Sequence, residues 1–460
     1  MSDCVDVVVL GGGPCGLAAA TALARQGRRV QVFERNHFGG PRVGESFGPE
    51  IVEALRDLGV LDEFLTLDKI PFRGVQSAWG TENLLDRPSI VHPLGDGFHV
   101  DRALFDALLV RHATHCGVGL HEEMGVASIV PTNDSWLLHW PNGRQIEARF
   151  ILDASGRGAS AGTRAFPDRH WVACDRAVGI VTRLSPPAGR EFEPELLIET
   201  AEIGWWYVAL QPGPALLCVL ITDADLIGAN HRQELPTRWL DALQETRHVR
   251  ALCGDAKPSD GPRVVRADTG FLWPNHGPGW RAVGDAAFSS DPLSGDGVVR
   301  GLSDAIIAAR DVHSLLATDP PMELRSLTKQ APLDARIPGY LDLKQKYYRM
   351  ENRWPNALFW KRRHGLDWQS ARIALDPRVF LRTAIHNPDA QLLAPIEGLL
   401  PPRVLHSILD QCRQSRPAHV VLHQLRTAAP LGDRRLLIAL QELVASGVLV
   451  LDGQTEPSSA

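Results

Sequence analysis

The sequence predicts an α/β (α+β) fold: a Rossmann-like dinucleotide-binding domain, an inserted antiparallel β-sheet substrate domain and a C-terminal helical subdomain. Three observations predict it. The chain opens with a β-branched run, Val5 to Leu10, that meets a glycine loop and then an alanine-rich segment, Leu17 to Ala24. From about Asp175 to Trp273 short β-rich runs recur around one helical stretch. Beyond Gly297 the pattern is mainly helical. Strand–loop–helix units alternating with runs of strands are the signature of a nucleotide domain carrying an insertion.

The opening reads as strand, tight turn, helix. Gly11, Gly13 and Gly16 fall on the G-x-G-x-x-G spacing. The first glycine permits the turn, the second lets backbone amides approach a pyrophosphate, and the third lets helix and strand pack closely. Pro14 and Cys15 open the helix, where unpaired amides favour an anion. Cys15 there is either an acidic thiol or a packing residue beneath a phosphate. The second strand, Arg29 to Glu34, ends in an acid about 20 residues after the loop, the distance expected of a ribose-binding carboxylate. Arg35 follows it. The unit predicts an adenine dinucleotide and leaves NAD or FAD open.

Next comes a Gly- and Pro-rich loop containing Pro41-Arg42-Val43-Gly44-Glu45-Ser46, then one or two helices over Ile51 to Leu67. Phe72 to Trp79 and Ile90 to Val100 read as short strands. Asp101 reads as the N-cap of a helix that starts at Arg102 and carries the apolar stripe Ala103 to Val110. Alternating segments from Val126 to Phe150, turning at Pro141-Asn142-Gly143, read as a hairpin or meander. Phe150 to Asp153 is a buried strand ending in Ala154-Ser155-Gly156-Arg157. In the middle region the strands are 177–183, 196–200, 205–210, 215–222 and 263–273, with a helix over 235–252. In a strand the side chains of Trp205, Trp206 and Tyr207 alternate, so only one face of that trio lines a pocket and the rest is core. Trp280 to Ala287 is a strand entering a turn, and Gly297 to Leu316 a long helix. The expected domains are 1–72, 98–174 and 274–330 for the nucleotide, 73–97 and 175–273 for the sheet, 331–384 as a helical extension and 385–460 as a helical, winged-helix-like subdomain.

Composition excludes several classes. The 460 residues suit two or three domains. A net charge of −6 gives no global attraction to nucleic acid or anionic membrane. The seven cysteines are scattered and never form C-x-x-C, against a disulfide framework or zinc site. The first strand begins within a few residues of Met1 and no apolar run is long enough to span a bilayer. The expectation is a cytoplasmic protein. Tyr340 to Arg382 holds ten Lys/Arg against four Asp/Glu, interleaved with aromatics, which reads as core rings with a solvated basic face. The segment from Pro402 is near neutral, with six Lys/Arg and five Asp/Glu, which speaks against DNA contact.

Three ordered motifs select the cofactor: the opening unit, Asp153-Ala154-Ser155-Gly156-Arg157, and Gly284-Asp285-Ala286-Ala287 followed by Asp291-Pro292-Leu293-Ser294-Gly295-Asp296-Gly297. With them residues 1–365 resemble the p-hydroxybenzoate-hydroxylase-like FAD fold, and within it the flavin-dependent halogenase and aromatic monooxygenase group. Pro41 to Ser46 looks like that group's strap beside the flavin. Gly204-Trp205-Trp206-Tyr207 and Arg353-Trp354-Pro355 with Phe359-Trp360 are similar too. The resemblance implies FAD. It implies that Gly11, Gly13, Pro14, Cys15, Gly16, Glu34 and Arg35 hold the ADP half. Arg42, Gly44 and Arg102 would reach the cofactor from the strap side, Asp153, Ser155 and Gly156 from the second motif, and Gly284 and Asp285 at the ribityl–pyrophosphate region. Pro292, Gly295, Asp296 and Gly297 would line the isoalloxazine. Pro292, Glu45 and Ser46 are the catalytic candidates.

The implied reaction is oxygen transfer from a C4a-hydroperoxyflavin to an electron-rich aromatic carbon in a dry pocket. Two departures narrow it. Halogenases of the group carry a Trp-x-Trp-x-Ile-Pro motif and a catalytic lysine. Here Phe271-Leu272-Trp273-Pro274 does not match the motif, and Gln76-Ser77-Ala78-Trp79-Gly80 lacks the lysine, the nearest being Lys69. That favours oxygenation, with halogenation or an FAD-linked reductase or dehydrogenase as alternatives. No second dinucleotide fingerprint appears, so a reductase or free reduced flavin is the expected electron donor. The helical tail resembles the flavoprotein monooxygenases that hydroxylate a peptide-bound tryptophan during cysteine tryptophylquinone cofactor biogenesis, which implies a protein or peptide partner.

Overall fold

The computed structural model describes residues 4–39, 42–89, 92–157, 169–185, 192–213, 215–228, 233–254, 256–318, 320–321, 325, 332–364, 379–385, 388, 393, 400–428 and 433–452. They fall into two compact units, 1–171, 176–330 and 350–360 in the first, and 172–175, 331–349 and 361–460 in the second.

In the first unit the opening run forms the strand Cys4–Leu10, central in a sheet whose path runs 276–277, 280–282, 145–153, 4–10, 30–33, 119–121. It pairs in parallel with Gln145–Asp153 and Val30–Phe33, with Leu10 opposite Asp153 and Phe33. A strand covered on both faces must be apolar throughout, and Val7, Val8 and Val9 are fully buried. The helices Pro14–Ala24, Arg102–His115 and Gly297–Ala317 contribute Leu17, Phe105, Leu302 and Val312 to the core built on this sheet. Asp101 caps its helix, accepting the amides of Ala103 and Leu104 at 2.7 and 3.4 Å.

The second sheet runs 257–258, 177–185, 215–223, 204–211, 196–201, 74–78, 85–88, with Arg263–Arg266 pairing on Ala177–Ser185. It is antiparallel except where Leu196–Ala201 runs parallel to Gly74–Ala78. Alternation sends Trp206 and Val208 into a core closed by Trp239, Leu243 and Val249, and the Trp206 and Trp239 rings meet edge-on at 5.4 Å. Trp205 and Tyr207 take the opposite face, 6.0 Å apart.

Three expected elements differ. The helix over 235–252 is two, Leu235–Gln244 and His248–Cys253. The buried carboxylate of Glu199 accepts the amides of Arg247, His248 and Val249 at 2.8, 2.9 and 2.7 Å, which starts a new helix there. The run 263–273 breaks into Arg263–Arg266 and Gly270–Trp273 because Asp268 folds back to grip Arg266 at 2.9 and 2.6 Å. Only Gly97–Val100 of the run Ile90 to Val100 is strand. Ahead of it the amides of His92 and Gly95 return to Ser89 and His92 in turns, and residues 90–91 lie outside the described residues.

The second unit carries the tail. Helices Pro402–Gln411, Ala418–Ala428 and Asp433–Ala445 accompany a small antiparallel sheet in which Phe380–Thr383 lies between Arg416–Pro417 and Leu449–Asp452. Part of the basic stretch, 365–378, lies outside the described residues.

Trp239 is 1% exposed beneath the second sheet. Trp239→Ala should cost about 3–5 kcal/mol, read as a lower urea midpoint, with FAD still bound in native buffer.

Candidate functional site

The carboxyl ends of Cys4–Leu10, Val30–Phe33, Gln145–Asp153 and Trp280–Ala282 bring Gly11, Glu34, Asp153 and Gly284 to one edge of the parallel sheet. Open parallel sheets bind ligands at this edge. Gly11 has φ +111°, and a Cβ on Gly16 would lie 2.0 Å from the Gly11 carbonyl oxygen. Gly13 is the N-cap of Pro14–Ala24, with no side-chain cap and no acid in the first turn. Leu17 N–H already returns to Gly13, which leaves the first amides of the helix for an anion.

Glu34 accepts the amides of Gly12 and Asn36 at 2.8 and 2.9 Å, and Arg42 stands 3.9 Å away. Arg35 beside it is exposed. Arg42 also meets Asp106 at 3.2 Å. Arg102 directs Nε and Nη2 to Asp106 at 3.3 and 3.2 Å, and Nη1 to the carbonyls of Val43 and Gly44. Both Arg102 and Asp106 are buried. A buried ion pair persists when its remaining donors are satisfied. Here they are satisfied by the strap backbone, so Arg102 fixes the strap and Asp106 orients Arg42. Gly44, at φ +94°, would place a Cβ 3.1 Å from Arg102 and 3.6 Å from Val298 at the start of the long helix.

At the other end Asp153 accepts the Ser155 amide at 3.0 Å, and Gly156 turns the chain at φ +77°. Arg157 then donates to the carbonyls of Asp268 and Ser290 at 2.9 and 3.1 Å and faces Asp285 at 3.4 Å. Arg300 holds Asp285 from a second direction at 3.2 Å. The Gly284 amide donates to Asp304 at 2.8 Å, and a Cβ there would meet Cys15 Sγ at 2.6 Å. Burial, then the carboxylates of Asp304 and Asp285, push the Cys15 thiol well above its usual range. Of the two readings the structure fits packing: Cys15 lies between the glycine-loop helix and Gly284. Asp291 caps the short turn Pro292–Ser294 by accepting the Leu293 amide at 3.0 Å, and Gly295 follows at φ +65°. Asp296 accepts the Ser294 hydroxyl at 2.6 Å and leaves the N-terminus of Gly297–Ala317 without a side-chain cap.

The strap separates the two residues paired in the sequence reading. Ser46 is opposite His99 in the register and its hydroxyl lies 2.8 Å from His99 Nδ1. His99 Nε2 lies 3.1 Å from the Pro194 carbonyl. A carbonyl only accepts, so Nε2 carries the proton and Ser46 donates to Nδ1. Burial holds the His99 pKa down to about 4. Glu45, 2% exposed, points elsewhere: Gly44 N–H donates to Oε2 at 2.7 Å, and Arg183 stands 4.0 Å from Oε1, which accepts no hydrogen bond among the described residues. Burial raises the Glu45 carboxyl against the pull of Arg102.

Two bare helix N-termini, glycines that admit no Cβ and a carboxylate at the end of the second strand fit a dinucleotide carrying a pyrophosphate, a ribose and an anionic ring. Residues 6–83 and 81–364 match the model of the tryptophan halogenase family. The chain belongs to that family. FAD is its cofactor, and the protein is a flavin-dependent oxidoreductase. It is similar to the putative FAD-dependent oxidoreductase LodB of Marinomonas mediterranea, 29% identical over 368 residues that cover 78% of this chain and 97% of LodB. Among solved structures it shares its fold with the flavin-dependent halogenase CmlS, at TM-score 0.71 and 18% identity over 98% of this chain and 97% of that one. It also shares it with QhpG, a peptidyl tryptophan dihydroxylase essential for tryptophylquinone cofactor biogenesis, at TM-score 0.62 and 23% identity over 78% and 79% of the two chains.

Asp106, Arg157, His99, Arg183 and Arg300 escape the sequence reading as site residues. The Arg102…Asp106 i,i+4 spacing signals the first, and the second motif contains Arg157. Nothing local marks the other three.

Gly16→Ala should force the loop off the helix and weaken FAD binding by roughly tenfold or more, about 1.4 kcal/mol, read by flavin fluorescence titration. The His99 pKa of about 4 lies below the ordinary 6.5, so its contribution to stability is full above pH 6.5 and lost as the pH falls towards 4. The wild-type unfolding midpoint should drop across that window, and His99→Gln should flatten the drop.

Proposed function

We propose that the protein is an FAD-dependent monooxygenase that hydroxylates an electron-rich aromatic, namely a tryptophan side chain of a protein or peptide during tryptophylquinone cofactor biogenesis. The place of the halogenase lysine carries this reading. Gln76, Ser77, Ala78 and Trp79 occupy that stretch of the substrate sheet. Lys69 Nζ instead donates to the Leu65 and Leu67 carbonyls at 2.5 and 3.1 Å. Halogenation is the second reading, favoured by the family itself.

Bound and reduced, FAD supplies electrons to dioxygen. The chain supplies the rest. Glu34 and the amides of the glycine loop hold the ADP half, and Arg157 and Arg300 fix Asp285 for the ribityl–pyrophosphate region. The N-terminus of Gly297–Ala317 offers amides and a dipole to negative charge on the ring. Buried Trp205, with half-buried Tyr207 beside it, helps exclude water, and Glu45 is a carboxyl able to hold a proton, its pKa raised by burial. A reductase or free reduced flavin delivers electrons, and the tail serves as a docking surface for the protein substrate.

The test supplies the holoprotein with a flavin reductase, NADH, ¹⁸O₂ and a tryptophan-containing peptide, with and without bromide. A gain of ¹⁸O that bromide does not alter is the expected mass change. Bromine incorporation, or no ¹⁸O with bromide absent, overturns hydroxylation in favour of the second reading or neither.

A further inference from the structure

The substrate sheet carries a cavity of about 630 Å³ that contains none of the residues assigned above to the cofactor. It lies wholly within the first unit, at the end of Leu196–Ala201, against the helix Leu235–Gln244 and the Arg353-Trp354 pair. Just ahead of that strand the Pro194 carbonyl accepts His99 of the strap sheet at 3.1 Å. Cavity and strap contact therefore stand at opposite ends of the strand, roughly 17 Å of extended chain apart.

The lining is apolar within and fixed in place. Ala78, Ala201, Ile203 and Ala242 contribute apolar surface. Glu351, fully buried, accepts the Gly80 and Arg353 amides at 3.0 and 2.9 Å and the Thr200 hydroxyl at 2.5 Å. It also takes Nε and Nη2 of Arg353 at 3.0 and 2.6 Å. Arg353 in turn holds Trp354, its guanidinium 4.4 Å from the ring centre. Walls set beforehand leave little to be ordered on binding.

The charges around the cavity do not cancel. Arg353 is matched by Glu351, Arg238 by Glu234 at 2.7 Å, and the Glu199 carboxylate by three helix amides. The exposed carboxylates of Glu82, Glu202, Asp241 and Glu245 meet no hydrogen-bond donor and no cation within 4 Å among the described residues. Against these four stands the unmatched guanidinium of Arg247. Asp241 and Glu245 are four residues apart on one helix face, a pairing that repels and does nothing for the helix.

We propose that this cavity docks a basic segment of the protein substrate and grips an arginine side chain of it. The apolar stem lies along Ala201, Ile203 and Trp354 while the charged head reaches Glu202, Asp241 and Glu245. A planar guanidinium bonds carboxylates through two donors at once and gives up its hydration more readily than an ammonium. The rim carboxylates also steer the encounter, an effect that salt screens. The inference rests on the reading of the substrate as a protein or peptide and names the part of that partner held away from the reacting side chain.

The test titrates the FAD-loaded protein into two fluorescein-labelled tryptophan peptides, identical except that one carries arginine where the other carries glutamine, and follows anisotropy. The arginine peptide should bind at least tenfold more tightly, with the difference shrinking as salt rises. Asp241→Asn with Glu245→Gln should weaken it severalfold, as should Glu202→Gln, with flavin absorbance unchanged and the urea midpoint not lowered. Glu53→Gln with Asp62→Asn, the same loss of charge at exposed positions elsewhere in the first unit, should bind as the wild type does. Equal affinity for the two peptides, no loss in the cavity variants, or the same loss in the distant pair overturns the docking site. Binding of spermidine without binding of the peptide would put a free polyamine there and overturns it too. Binding is read without reductase or NADH. An absence of hydroxylation therefore sinks the proposed reaction alone, and equal peptide affinities sink the docking site alone.

Discussion

The site depends on one close approach. The backbone of Gly16 passes so near the Gly11 carbonyl that a single methyl group would stand 2.0 Å from it. That contact lets the first helix begin directly beneath the first strand, with its free amides aimed over the edge of the sheet. Ala154 closes the loop from the other side, since a Cβ on Gly11 would lie 2.4 Å from its carbonyl oxygen. Two motifs about 140 residues apart in sequence thus share a single turn. The third joins through Cys15, whose sulfur fills the space that the bare Gly284 leaves.

Around that contact, charge is arranged in opposed pairs. Arg102 and Asp106 are buried together, with the strap carbonyls taking the donors that Asp106 does not. Asp285 has an arginine on each of two sides. Burying such groups is tolerable only when their hydrogen-bonding capacity is met. In both clusters backbone carbonyls, of Val43 and Gly44 in one and of Asp268, Ser290 and Phe288 in the other, take donors that the carboxylates do not. Geometry is fixed by the fold rather than by the bound cofactor.

The fold was legible wherever a local pattern decided it. Strand, glycine loop and helix at Val5 to Ala24 need no distant information, and Asp101 caps its helix through its own next residues. The alternation of Trp205, Trp206 and Tyr207 across one strand was likewise readable. Distant partners were not. Glu199 lies about 50 residues before the helix it starts, and no periodicity in 235–252 reveals the break. Glu45 and Ser46 look like one pair in sequence. An extended strap sends them to opposite sides, one to Arg183 and one to His99. Arg157 and Arg300 gain their meaning only when Asp285 comes between them.

The parallel pairing of Leu196–Ala201 with Gly74–Ala78 sets the order of assembly on the ribosome. The strand at 74–78 and its neighbour at 85–88 leave the exit tunnel long before residue 196 exists. At about 5–20 residues per second they wait on the order of ten seconds for a partner. Leu85, 56% exposed even in the finished sheet, belongs to that waiting hairpin. Its neighbours Asp86 and Arg87 carry charge along the outer edge, the common protection of an unpaired strand against another chain. Until residue 196 emerges the inner edge of Gly74–Ala78 is therefore open, while the charged strand at 85–88 covers its other side.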